Sequence, residues 1–315
     1  MTETLNTVQD KKQIYDSYVK ENGAPIAVVI DSTTKCDLGG CAHCYISDVD
    51  SKKDVFIDKK IINEWQAVFD ESATPPQEFW VTGGEPTLNP NLKEIINSFD
   101  DKYHLSLVTN GENIADENFC KDLIENSKLK EVAITFRGLG RLHDYFVEQK
   151  LTETQPHYDK SLQAILNLSK YDHLRISLNI DMQDLRDMDK IVEDIISKGG
   201  RVDTLLIQIQ QNTNRVIKND NIEGKNFSNM LRTPNFDMVK AYIDQAHTLI
   251  DKNMVKNAVI IDPVSPEIYQ GLDLQNEPIY DPQDTPAIGI DGSFRTNVLY
   301  YEDIFKSTPA TTPQT

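Results

Sequence analysis

Cysteine is scarce in this chain: there are four in 315 residues, and none beyond Cys120. Three of the four share one short run, which leaves no partners for a disulfide framework. The residues from Met1 to Asn6 lack the basic-then-apolar pattern of an export signal. Reduced thiols and a cytoplasmic location are therefore expected. Long apolar runs are also lacking, and no stretch approaches the ~20 residues of a membrane span. Positive charge is in short supply, with 32 Lys and Arg against 50 Asp and Glu and a net charge of −18. Lys11-Lys12 and Lys128-Leu-Lys130 are too short to hold nucleic acid or an anionic membrane. An acidic surface keeps a protein soluble, and it attracts a basic peptide or a basic partner protein.

What is present begins with Cys36, Cys41 and Cys44, separated by Asp37-Leu-Gly-Gly40 and by Ala42-His43, and followed by Tyr45. Three thiolates without a fourth suit a cubane iron–sulfur cluster that keeps one iron open. A structural zinc ion needs four ligands, and His43, placed between two of the cysteines, is badly sited to be the fourth. Cys120 lies on the apolar side of an expected helix, where a free thiol is usually buried and inert. A second motif is Trp80-Val-Thr-Gly83-Gly84-Glu85-Pro86-Thr87. Paired glycines let backbone approach a ligand closely, and an ammonium requires acceptors such as a carboxylate. Read alone, the same residues are an ordinary strand-to-helix turn.

The chain alternates between short β-branched runs and helical stripes. Strands are expected at Ile26–Ile30, Phe79–Val81, Leu105–Val108, Val132–Phe136, Leu174–Ile180 and Thr204–Ile209. Helices are expected at Lys59–Phe69, with Asp58 as N-cap, and at Leu92–Phe99, Asn118–Ile124, Ser161–Ser169 and Ile191–Ser197. Such alternation without hairpin signals means a parallel sheet with helical crossovers. Ligands of such sheets bind at the carboxyl ends of the strands, and both motifs fall there. Four segments follow: 1–24, a peripheral helix and turn; 25–211, the α/β unit; 212–306, an extension; and 307–315, an expected disordered tail. Within the extension, 212–235 is polar, Phe236–Ile250 reads as a helix and Ala258–Ile261 as a strand. Ile288 to Leu299 reads as a hairpin turning at Asp291-Gly292.

The cysteine run and the Gly-Gly-Glu-Pro motif together resemble the radical S-adenosylmethionine (SAM) superfamily. The resemblance implies an α/β fold, a partial (β/α)6 TIM-like barrel of parallel strands, here with a small α+β C-terminal extension. It also implies a [4Fe-4S] cluster on Cys36, Cys41 and Cys44, with SAM on the open iron and an electron donor such as flavodoxin or ferredoxin. Reductive cleavage of SAM would give a 5′-deoxyadenosyl radical that abstracts hydrogen from substrate. By the same resemblance Gly83, Gly84, Glu85 and Pro86 hold the methionine end through backbone groups and the Glu85 carboxylate. His43 contacts adenine, and Tyr45 is counted among the cofactor-binding residues. Thr109, Asn110, Thr135 and Asn179 match in position family residues that bond the carboxylate and ribose, and Arg137 has two readings, binding a carboxylate of SAM or substrate and pairing with a surface acid. The catalytic hydrogen donor is unknown.

Two departures accompany the resemblance. Four residues rather than three separate Cys36 from Cys41, and Arg137 replaces an acid that many relatives carry before a His-Asp pair, here His143-Asp144. The late hairpin resembles the extension of peptide-modifying relatives, whose extra cysteines bind auxiliary clusters. With no cysteine after Cys120, one cluster is expected. The substrate reading is a ribosomally made peptide. A small metabolite or nucleoside-type substrate, and a non-catalytic iron–sulfur or metal-binding protein, remain the alternatives.

Overall fold

The computed structural model describes residues 7–38, 41, 54–147, 156–181, 187–208, 236–261, 279–280, 286–289 and 291–295. His43, Cys44, Tyr45, the polar 212–235 stretch and the 307–315 tail lie outside the described residues. Eight strands follow one another in space as in sequence: β1 (Ala27–Asp31), β2 (Glu78–Thr82), β3 (His104–Thr109), β4 (Glu131–Phe136), β5 (Arg175–Asp181), β6 (Thr204–Gln208), β7 (Asn257–Ile261) and β8 (Ile279–Tyr280). Each neighbouring pair is parallel. Between them run α2 (Lys59–Glu71), α3 (Leu92–Ser98), α4 (Glu117–Ile124), α5 (Arg141–Val147), α6 (His157–Leu168), α7 (Met188–Ser197) and α8 (Phe236–Asp251), preceded by α1 (Val8–Asn22). Among the described residues no pairing joins the two ends of the sheet. This is an open, partial TIM-like barrel.

The strand period of two divides the sheet into two unlike faces. Phe79 and Val81, Leu105 and Leu107, Val132, Ile134 and Phe136, and Ile176, Leu178 and Ile180 are each at most 1% exposed and share one core with the helices. The intervening Trp80, Val108, Ala133, Leu206 and Val259 form a separate small cluster on the other face. Asp58 caps α2 by accepting from Lys60 N–H at 2.8 Å. α2 buries Ile62, Trp65, Val68 and Phe69, and Phe69 packs against Phe79 with ring centroids 5.4 Å apart. Truncating such a buried aromatic costs about 3–5 kcal/mol.

Past residue 211 the sheet continues. β7 lies in register beside β6, Thr204 opposite Asn257 and Gln208 opposite Ile261, and β8 adds to β7. The expected six strands are thus followed by two more in the same sheet. At the opposite edge, β9 (Ala287–Ile288) pairs parallel with β1, and β10 (Phe294–Arg295) pairs antiparallel with β9. This is the Asp291-Gly292 hairpin, with Gly292 at φ 81°. Trp65 Nε1 donates to Gly292 O at 3.0 Å, and Phe294 packs on Trp65, Tyr15 and Tyr18. The N-terminal helix is more than peripheral, because Tyr15 is fully buried. Thr7 and Asp10 close a capping box at its start.

Candidate active site

Three strand-end loops meet above β1, β2 and β3. After β1 the chain runs through Ser32, Thr33 and Lys35 to Cys36, and residues 54–57 form the returning leg. The two legs are stitched by Thr34 N–H to Val55 O at 3.0 Å, Ile57 N–H to Ser32 O at 2.9 Å and Thr33 Oγ1 to Val55 O at 2.8 Å. Lys35 Nζ also pairs with Asp54 at 2.9 Å. The cysteine segment therefore leaves from a pinned stem. Cys36 is half-buried and Cys41 buried.

The glycine pair is pressed against that stem. Gly84 N–H donates to Thr33 O at 2.6 Å, and Glu85 N–H to Lys35 O at 2.7 Å. Gly83 adopts φ 133°, and a Cβ there would lie 2.6 Å from Thr33 O. At Gly84 a Cβ would lie 2.1 Å from Lys35 O. Real Cβ atoms do not come so close to backbone, so only glycine permits this approach.

Glu85 fastens the second loop to the third. Its side chain is 1% exposed. Oε1 accepts from Thr87 N–H at 3.0 Å, Thr87 Oγ1 at 2.5 Å and Thr109 Oγ1 at 2.6 Å, and Oε2 accepts from Asn110 N–H at 2.8 Å. Burial pushes its carboxyl up to about 7, against the pull of those donors, and nearby Asp37 adds to the rise. Pro86 opens a 3-10 turn (Pro86–Leu88) and is buried. Asn89 Nδ2 donates to Ser32 O at 2.9 Å, a second tie between the first two loops.

Thr135 and Asn179 face each other in register on β4 and β5. Asn179 Nδ2 donates to Thr135 Oγ1 at 3.3 Å. Asn179 Oδ1 is buried and has no hydrogen-bond partner among the described residues. A buried acceptor in that state is costly unless a ligand satisfies it. Arg137 follows β4, and its N–H donates to His143 Nδ1 at 3.0 Å. Burial depresses the His143 imidazole to about 3, so it stands neutral as that acceptor. Asp144 Oδ1 accepts from Tyr158 N–H at 2.9 Å.

Hydrogen bonds thus join Thr33, Lys35, Gly84, Glu85, Thr87, Thr109 and Asn110 into one knot, with Gly83 and Pro86 in the same loop as Gly84 and Cys36 next to Lys35 in the chain. Thr135 and Asn179 form a pair on the next two strands. Among the described residues no three His, Cys, Asp or Glu side chains converge as a metal site, and Cys44 lies outside them. The donor set nonetheless fits the implied cofactors. It offers the Cys36 thiol directly after a pinned stem, glycine backbone against that stem, and an unsatisfied amide oxygen near a strand end. Cys120 is 1% exposed on α4, and burial pushes its thiol up to about 11, as an inert thiol requires.

Three functional features were not foreseen. Asp37 accepts a hydrogen bond from Asn110 Nδ2 at 2.7 Å. Asn89 ties the first two loops. Glu112 accepts from His157 at 2.6 Å and from Lys160 at 2.5 Å beside the third loop. Each joins residues far apart in sequence, and only the turn-forming type of Asp37 and Asn89 hints at a role.

Residues 30–195 match the Radical SAM superfamily, more than half of the chain. No curated protein sequence matches it. Among solved structures, SuiB of Streptococcus suis superposes with a TM-score of 0.61 at 13% identity, covering 96% of this chain and 67% of that one. At that identity the likeness speaks for the fold. The family match, on a barrel whose strand ends carry the cysteine loop and the glycine pair, makes this chain a member of the radical SAM superfamily and an enzyme, with a [4Fe-4S] cluster and S-adenosylmethionine as its cofactors.

Proposed function

We propose that Cys36, Cys41 and Cys44 ligate a single [4Fe-4S] cluster and that the enzyme modifies a ribosomally made peptide. The observation that carries the site assignment is the knot of Thr33, Lys35, Gly84, Glu85 and Asn110, which binds the cysteine stem to the glycine pair. A ligand chelated to an open iron there would lie along the Gly83-Gly84 backbone. Bound together, the two cofactors supply reductive cleavage of the sulfonium, with one electron from a flavodoxin- or ferredoxin-type donor, and the radical product takes hydrogen from substrate.

The chain's own groups bind and orient. Backbone oxygens at Gly83 and Gly84 accept from the methionine ammonium, while Glu85 spends its carboxylate on Thr87, Thr109 and Asn110 and so fixes the loops. Asn179 Oδ1 accepts from a ribose hydroxyl, held in place by Thr135. Arg137 meets a carboxylate, His43 contacts the adenine, and Tyr45 is a further cofactor-binding residue. The peptide reading draws on the net charge of −18, which favours a basic leader, and on the β9–β10 hairpin that extends the sheet beyond β1. Incubation of the anaerobically reconstituted enzyme with dithionite, SAM and any short basic peptide that a neighbouring gene encodes tests this. A mass change in the peptide is expected. An unaltered peptide, with turnover of a small metabolite instead, would replace the substrate assignment.

A further inference from the structure

The cysteine spacing has one residue more than the family pattern, and the structure shows where the first of the intervening residues goes. Asp37 Oδ1 receives the 2.7 Å hydrogen bond from Asn110 Nδ2. Asn110 is fixed through each of its four polar groups. Its N–H donates to Glu85 Oε2 at 2.8 Å, its carbonyl accepts from Ser161 Oγ at 3.0 Å, and its Oδ1 accepts from Glu112 N–H at 2.9 Å. That leaves Nδ2 aimed at Asp37. Glu85 is buried, the Glu112 side chain is 8% exposed, and Ser161 is the fifth residue of α6, so Asn110 is a rigid post rather than a mobile surface amide. The bond crosses from the first strand-end loop to the third, and its acceptor is the residue directly after Cys36.

We propose that Asp37 is a positioning residue for the cluster: Asn110 grips its carboxylate and so fixes the longer loop at Cys36, and the charge beside that thiolate makes the cluster harder to reduce. The inference rests on Cys36 being a ligand and goes beyond it. The physical grounds are two. A charge-assisted hydrogen bond is about twice as strong as a neutral one. Net charge near a cluster sets its potential, with negative charge opposing the added electron.

Three variants in the full chain separate the two effects, read by iron content, the EPR spectrum of the reduced cluster and reductive titration. Asp37→Asn keeps an oxygen acceptor and removes the charge. Its iron content and EPR lineshape are expected to match the parent, while the reduced-to-oxidised ratio at a fixed poise rises about threefold. Asp37→Ala and Asn110→Ala remove the grip, and both are expected to lose cluster on gel filtration and to broaden the EPR signal. Combining them adds little to the loss in Asn110→Ala alone, which removes the same bond together with the one from Glu112 N–H to Asn110 Oδ1. Parental potential in Asp37→Asn together with parental cluster retention in Asp37→Ala overturns the proposal. A parent protein that assembles no cluster overturns the ligand assignment itself, and the proposal with it.

Discussion

Two buried glutamates at opposite ends of the sheet are held in opposite ways. Glu131 opens β4 at the amino ends of the strands. There Arg175 lies 3.4 Å away, His104 Nε2 lies 3.0 Å away, and Ser177 donates to it. Burial works to raise its carboxyl, but those partners prevail and hold it below the usual range. Glu85, past the carboxyl end of β2, has neutral donors only, and burial lifts it to about 7. One end of the barrel compensates its charge with the Arg175 guanidinium. The other leaves a carboxyl group against backbone amides and hydroxyls, beside the proposed ligand site.

The largest effect expected at the ligand end is that of Gly84→Ala. A Cβ 2.1 Å from Lys35 O cannot be absorbed by rotamer change, so the stem must move. A loss of more than about 3 kcal/mol in urea unfolding is expected, with iron per chain falling below half of the parent. Next comes the pH dependence of Glu85. Its folded value lies above the usual 4.5, so the folded state holds its proton longer than the unfolded chain. That contribution is complete below 4.5 and is lost as pH rises through about 7, a fall of about 3 kcal/mol. The difference between the parent and Glu85→Gln isolates it from His143. That imidazole, depressed to about 3, slopes the other way and loses stability as pH falls below 6.5. A flat difference curve from pH 5 to 8 would erase the contrast between the two ends.

Glu131→Gln probes the compensated end. Removing one member of a buried pair whose Arg175 partner is half-exposed should cost about 2 kcal/mol at pH 7. Cluster content is expected to stay unchanged, since the site is at the far rim. The smallest effect expected is that of Cys120→Ala, about 1 kcal/mol in unfolding with full iron content, because that thiol only fills space on α4.

The outer layer was legible because burial there follows simple periods. Phe79 and Val81 alternate with Trp80, α2 repeats its apolar stripe behind Asp58, and Asp291-Gly292 marks a hairpin. α5 was not foreseen, since its seven residues follow Gly138 and Gly140, which read as loop. The continuation of the sheet into β7 and β8 was hidden by the polar stretch from 212 to 235, which breaks the strand-helix rhythm. At the site, residue types were readable, but their pairing was not. Glu85 reads from sequence as a ligand group, yet its oxygens are bonded to Thr87, Thr109 and Asn110. Asp37 and Asn110 lie 73 positions apart, and no local pattern connects them.

The most direct test of the account is anaerobic reconstitution with iron and sulfide, followed by dithionite, SAM and quantification of nucleoside products. The parent protein should bind one [4Fe-4S] cluster and release 5′-deoxyadenosine, and replacement of Cys36, Cys41 and Cys44 by alanine should abolish both. Formation of a cluster in that triple variant, or no 5′-deoxyadenosine from a fully loaded parent, would contradict it.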